Sequence, residues 1–252
     1  MVMTLKKEYS RFAPFYRLIG RQRGHFDVQV NYISKFIACE STNYILDAAC
    51  GTGDVLNSLT QYFPKKVFYG ADFSSSLLKF TKNLPALNKD NIILTGWRYL
   101  SRSFNFINFD CIFILGNSIA HSNSIKYFEE VVFQVSKILK NDGLFIFDIR
   151  DWEKNKIDGC FNAPSKQKKL TIKLRNTEIM YETNYHYKQE KHFLTHRIEQ
   201  IKKKDTIINL SFLDISSEFI INILKKYKFK DIYVENEIYE YPFISFVAKK
   251  CK

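Results

Sequence analysis

The sequence predicts an α/β fold of the doubly wound kind: a seven-stranded, mostly parallel sheet with an antiparallel β-hairpin insertion after strand five. Three observations predict it. Five short apolar runs alternate with segments of helical period between Tyr44 and Ile149, the first run ends in the glycine-rich turn Cys50-Gly51-Thr52-Gly53, and from about Leu170 to Ile215 the apolar period becomes two. Strands that alternate with helices form parallel sheets covered on both faces.

Each element has its own signal. Val28, Tyr32, Ile33, Phe36 and Ile37 share one face of an amphipathic helix that precedes the first strand. Tyr44-Ile45-Leu46-Asp47-Ala48 is that strand, and Val55, Leu56, Leu59 and Tyr62 give the helix after the turn. Val67-Phe68-Tyr69-Gly70-Ala71 is the second strand; Asp72 ends it, and Ser74 or Ser75 can cap a helix carrying Leu77, Leu78 and Phe80. Ile92-Ile93-Leu94 makes a third strand and Cys111 to Leu115 a fourth. A helix from about Ser124 to Lys140 follows, stopped by Asn141-Asp142-Gly143, and Leu144 to Ile149 is the fifth strand. In the insertion Tyr181, Thr183, Tyr185 and Tyr187 alternate with Asn184 and His186. A helix over Ser217 to Lys226 and closing strands at Ile232-Tyr233-Val234 and Phe243 to Ala248 complete the fold.

The expected division is an N-terminal segment and helix (1–42), a core (43–160 with 213–252) and the insertion (161–212), all one domain. With 252 residues and 46% apolar composition, one elaborated core is the default. Five scattered cysteines, none spaced Cys-x-x-Cys, argue against a disulfide framework or a metal site and fit a reducing cytoplasm. No window reaches the roughly 18 apolar residues of a spanning helix, and the charged N-terminus lacks a secretory core. The formal charge of +12 raises the question of a polyanionic partner, but the lysines lie in scattered pairs and triplets that read as solvated element ends, so nucleic acid is not the expected partner.

Cofactors of open parallel sheets bind beyond the carboxyl ends of the strands, and the first strand-helix turn is the usual nucleotide site. A dinucleotide fold wants a third glycine where Leu56 stands, and Asp47 ahead of the glycines would repel a pyrophosphate. The same carboxylate suits an ammonium or a sulfonium. No Gly-Lys-Ser/Thr phosphate loop is present.

The stretch Ile45-Leu46-Asp47-Ala48-Ala49-Cys50-Gly51-Thr52-Gly53-Asp54 closely resembles the first motif of class I S-adenosylmethionine-dependent methyltransferases. The resemblance implies a Rossmann-like fold, S-adenosyl-L-methionine as donor and S-adenosyl-L-homocysteine as product. It assigns Asp47, Ala49, Gly51 and Gly53 to the donor, Asp72 to the ribose hydroxyls, and Phe73 and Leu115 to the same site. Many members carry an acidic residue after the third strand for the adenine amino group; here the stretch is Thr95-Gly96-Trp97-Arg98, which leaves Trp97 to pack on adenine, its backbone N–H to reach a ring nitrogen, or the indole to be structural. Tyr9 to Tyr16, with Arg21 and Arg23, is similar to the N-terminal lid of such enzymes, and Tyr16 and Arg23 are the candidates for the donor's methionine end.

Leu115-Gly116-Asn117-Ser118-Ile119-Ala120-His121 and Phe147-Asp148-Ile149-Arg150-Asp151-Trp152 resemble the corresponding stretches of glycine N-methyltransferase and its relatives. That resemblance implies a small amine or amino acid as acceptor, with Asn117, His121 and Arg150 at the reaction centre. Asn117 can accept from an amine, donate to a carboxylate or simply form the turn; Arg150 can fork onto a carboxylate or pair with Asp148 or Asp151. His121 can orient the acceptor, touch the donor's methionine part, take a proton near neutral pH, or simply start a helix. The insertion can roof the acceptor, form a homo-oligomer contact, or hold its aromatics as plain packing. The rival readings are O-methylation of a specialised metabolite, RNA modification, and a catalytically silent cofactor-binding protein.

Overall fold

The computed structural model describes residues 2–122, 124–152, 170–174, 177–188, 191–200, 204–236 and 243–252. Two helices come first, α1 (Val2–Gln22) and α2 (His25–Ile37), joined at Gly24 in the left-handed region. Then follow β1 (Tyr44–Asp47), α3 (Asp54–Tyr62), β2 (Val67–Asp72), the short α4 (Ser75–Leu78), β3 (Ile92–Leu94), α5 (Leu100–Ser103), β4 (Phe109–Ile114), α6 (Ile125–Ile138) and β5 (Leu139–Arg150). The insertion holds β6 (Leu170–Leu174), β7 (Thr177–Lys188), β8 (Lys191–Gln200) and β9 (Thr206–Leu213); α7 (Ser217–Lys226), β10 (Phe229–Asn236) and β11 (Phe243–Lys250) close the chain.

The main sheet has seven strands in the order β10-β11-β5-β4-β1-β2-β3. Its β3-β2-β1-β4-β5 portion is parallel, while β11 runs antiparallel to β5 and β10 antiparallel to β11. The predicted doubly wound Rossmann-like sheet is what the chain forms. Strand order reverses between β1 and β4, so the turn after β1 and the loop after β4 leave the sheet side by side at the switch point. Both faces are covered, which is why the strands read as unbroken apolar runs: on β4, Phe109, Ile112 and Ile114 pack into one core while Cys111 and Phe113 pack into the other.

The insertion is a separate antiparallel sheet, β6-β7-β8-β9. Its inner face, including Tyr181, Leu194, Ile198, Leu210 and Phe212, joins the same buried cluster as Ile112 and Ile114. Segment 153–169, which contains the expected boundary at 160/161, lies outside the described residues, as does the side chain of His186.

Two boundaries differ from expectation. Helix α6 ends at Ile138 and not Lys140, because Leu139 is already extended, buried and paired with Phe109 at the start of β5; Asp142 then takes a left-handed conformation (φ 61°) within the strand. After β2 the expected helix is a single α-turn capped by Ser74, followed by a 3-10 turn over Lys79–Asn83. Among the described residues no helix is long and apolar enough to cross a membrane.

Candidate functional site

Beyond β1 the chain must turn sharply under α1, and the glycines permit it. Gly51 and Gly53 sit at φ +54° and +78°, where L side chains are strained. A Cβ on Gly53 would come within 2.9 Å of Thr81 and 3.0 Å of Leu87, whereas one on Gly51 would touch the Tyr16 ring at 3.5 Å. Two buried carboxylates brace this turn. Asp47 Oδ1 accepts from the Ala49 N–H at 3.0 Å. Asp72, at the end of β2, accepts from Gly51 N–H at 2.9 Å and from Ser74 N–H at 2.8 Å, so it bridges two turns while the helix cap itself falls to Ser74. Burial pushes Asp47 up to about 8, with the neighbouring Asp72 charge adding to it, and pushes Asp72 up to about 6. A dry pair of carboxylates of this kind favours a cation.

Gly51 and Asp72 border a cavity of about 380 Å³. Ala48, Ala49 and Gly51 form its floor, Asp72 and Phe73 one wall, Gly96 and Trp97 the end beyond β3, and Ser118 and His121 the side toward β4. Trp97 is held there by its indole N–H, which donates to the Ala48 carbonyl at 2.6 Å. Its ring can therefore face a planar ligand but its N–H is committed. Leu115 and Asp47 line a smaller recess of about 20 Å³ that shares Tyr16 and Ala49 with the main cavity.

Helix α1 roofs this cavity and is fastened at several points. Tyr16 lies over Gly51, its phenol pushed up by burial and by Asp72. Tyr9 stands edge-on to Phe73 and donates to His121 Nε2 at 2.8 Å. Asp54, buried at the start of α3, receives Arg17 Nε at 2.9 Å, Arg21 Nη2 at 2.8 Å and the Thr52 hydroxyl at 2.7 Å. Glu8 accepts from the Asn209 N–H of β9 at 2.8 Å. Arg23 is not among the residues lining the main cavity; its guanidinium stands 5.7 Å from the Tyr181 ring of the insertion.

On the far side, Asp148 of β5 accepts from the N–H groups of Gly116 and Asn117 at 3.0 and 2.5 Å and holds the loop after β4. Asn117 is left-handed (φ 60°), and its Oδ1 accepts from Arg150 N–H at 2.9 Å. One of the two Oδ1 lone pairs is thereby used. The Asn117 Nδ2 is a buried donor with no partner among the described residues. Arg150 lies over the rings of Phe243 (5.1 Å) and Trp152 (5.9 Å). His121 Nδ1 faces the Ser211 carbonyl at 3.0 Å, which can only accept; the ring is therefore the Nδ1–H tautomer with Nε2 accepting from Tyr9. Burial lowers His121 to about 4, a value that suits orientation better than proton transfer at neutral pH.

Several contributors had no individual role assigned from the sequence. Asn209 and Ser211 of β9 line the main cavity, as do Tyr9, Lys6 and Tyr127, and Asp54 with Arg17 and Arg21 forms the fastening of the roof. Arginines four apart on one helix, ahead of an aspartate that starts another, were the available hint for the last of these.

Residues 45–143 match the family described as a methyltransferase domain. That stretch carries the turn after β1, the Asp72 corner and the loop after β4, which wall the main cavity. Over its whole length the chain is similar to an uncharacterized protein of Methanocaldococcus jannaschii, 27% identical over 261 positions that take in 99% of this chain and 92% of that one. Among solved structures it resembles an S-adenosylmethionine-dependent methyltransferase from Clostridium acetobutylicum (TM-score 0.73, 18% identity, 97% and 99% of the two chains). It also resembles an amino pentose methyltransferase from Micromonospora echinaspora with S-adenosylmethionine bound (TM-score 0.74, 15% identity, 93% and 96%).

Proposed function

We propose that the protein methylates the nitrogen of a small amine or amino acid that also carries an oxyanion such as a carboxylate. One observation carries the reading: the Asn117 carbonyl accepts from Arg150 N–H, and its Nδ2 is a buried donor with no partner among the described residues, on the same loop-strand junction as Arg150. An amide N–H donor beside a guanidinium suits an acceptor's oxygen atoms. The likeness to an amino pentose methyltransferase supports an amine as the nucleophile.

In this reading Gly51, Gly53 and Ala49 cradle the methionine part of the donor, with Asp47, Leu115 and Tyr16 beside it, and Asp72 takes the ribose hydroxyls next to Phe73. Gly96 and Trp97 flank the adenine. When bound, the donor supplies a methyl group on a sulfonium. The protein's contribution is to align the acceptor with that carbon and exclude water, which α1 and β9 do by closing the cavity. His121, with both ring nitrogens engaged, is a positioning residue. Arg23, placed on the insertion side, addresses the acceptor and not the methionine end.

The test is a screen of amine and amino-acid pools with methyl-labelled S-adenosylmethionine, read by mass spectrometry, beside titration of S-adenosylhomocysteine. Methylated amine and at least tenfold weaker binding after Asp72→Ala are expected. A labelled ester or ether, with no labelled amine, would refute N-methylation.

A further inference from the structure

Asp72 closes β2, so a ribose held there directs the adenine toward the end of β3, the next strand, where Gly96 and Trp97 line the cavity. No side chain from Thr95 to Tyr99 offers a carboxylate to an exocyclic amine. The Trp97 N–H is committed to Ala48, and the Thr95 hydroxyl accepts from Ser103 at 2.9 Å. Beside Gly96 there is only space: a Cβ built on it meets nothing within 4 Å, and its backbone (φ −98°) is open to any residue. That space is continuous with the exterior, because Thr95 and Gly96 also border an open groove of about 500 Å³. The groove is walled by Leu94 and Tyr99, both more than half exposed, and by the cations Lys6 and Arg102.

We propose that the donor site accepts adenine nucleosides substituted at the exocyclic N6. The substituent leaves past Gly96 into the groove, its apolar stem on Leu94 and Tyr99, and an anionic end is preferred because Lys6 and Arg102 meet it. The proposal rests on the adenine lying between Phe73 and Trp97.

Calorimetric titration of the full chain tests it with three probes: S-adenosylhomocysteine, its N6-(3-carboxypropyl) derivative and the isosteric carboxamide. The carboxamide is expected to bind within about threefold of the parent. The carboxylate is expected to bind about two- to fivefold tighter than the carboxamide, the size of an exposed ion pair, with the gain lost in Arg102→Gln and at high salt. Gly96→Leu, which stops the opening, should penalise both derivatives at least tenfold more than the parent. A carboxamide bound more than tenfold weaker than the parent by the unaltered chain overturns the opening; equal affinities of carboxylate and carboxamide overturn the cationic groove. Failure of the parent itself to bind overturns the donor site, and the proposal with it.

Discussion

The Tyr9 hydroxyl and His121 Nε2 meet at 2.8 Å across 112 positions of sequence, and the other nitrogen of the same ring reaches the Ser211 carbonyl. One imidazole thus ties the roof helix α1, the loop after β4 and strand β9 of the insertion. Phe212 backs it at 4.4 Å between ring centroids. The ring is a junction of three elements that the chain brings together only on closing.

A junction of this kind predicts a particular kinetic signature. Removing the Tyr9 hydroxyl by Tyr9→Phe leaves His121 Nε2 buried without a donor, a loss of about 1–3 kcal/mol. Because the bond fastens the roof over the donor, the expected effect is an S-adenosylmethionine KM raised about tenfold with a smaller change in kcat. Since burial holds His121 near 4, kcat should show no inflection near pH 6.5. An inflection there that vanishes in His121→Asn would show the imidazole to be the base after all.

How much of this was legible in the sequence depends on the range of the interaction. The turn Cys50-Gly51-Thr52-Gly53, the strand ends at Asp47 and Asp72, and the loop at Asn117 are local: each is fixed by residues within a strand-turn-helix unit, and the Asp47 and Asp72 carboxylates stand where period and turn chemistry put them. The Tyr9–His121 pair, the Asp54 cluster and the reach of Asn209 and Ser211 into the cavity depend on how α1 and the insertion pack, which no local period encodes. Arg23 shows the limit from the other side. The resemblance of the N-terminal segment to a lid suggested the donor's methionine end; α1 ends at Gln22, and the guanidinium stands 5.7 Å from the Tyr181 ring. Asn117 was located but not its polarity, since only the fold reveals that Arg150 N–H occupies its carbonyl.

Two imidazoles with lowered proton affinity should make the protein acid-labile. Burial lowers His121 to about 4; it lowers His196 to about 3, with the charges of Arg150, Arg23 and His121 adding to the effect. Both lie below the unfolded value of about 6.5, so unfolding takes up protons: the stabilisation is complete above that value and is lost as pH falls toward the folded values. By pH 4 each loses on the order of 3 kcal/mol. Asp47 slopes the other way, because its raised value costs stability as pH rises from about 4 toward 8. The difference between the protein and His196→Gln isolates the imidazole: the gap in urea midpoints should narrow or reverse between pH 7 and pH 4.5. A gap independent of pH would mean that His196 is not buried neutral.

The carboxylate pair predicts proton release on donor binding. With Asp47 near 8 and Asp72 near 6, part of the pair is protonated at pH 7, and a sulfonium and ammonium favour the ionised form. Binding must then expel protons, and S-adenosylmethionine affinity should rise between pH 6 and 8, by at most about tenfold per unit for each proton released. Titration in two buffers of different ionisation enthalpy measures the count directly. S-adenosylhomocysteine, lacking the sulfonium charge, should release fewer, and Asp47→Asn should remove most of the release. Equal proton counts for the two ligands would contradict electrostatic coupling to the sulfonium.

Asp54 predicts how the roof opens. Its side chain is only 6% exposed and gathers Arg17, Arg21 and the Thr52 hydroxyl, while Arg17 and Arg21 are 24% and 59% exposed. Most of the coupling therefore runs through Arg17, whose charge is the better shielded of the two. Asp54→Asn retains the shape but removes the charge, leaving two guanidinium groups without their shared carboxylate, a cost of about 1–3 kcal/mol. That cost falls on the docking of α1 against the glycine turn and only secondarily on the sheet, which is held by β1, β2 and β4. Trypsin cleavage after Arg17 or Arg21 should accelerate about tenfold, the equivalent of about 1.4 kcal/mol, and saturating S-adenosylhomocysteine should restore protection. If cleavage instead accelerates equally at sites in α6 and α7, the aspartate supports the whole fold and the roof has no separate opening.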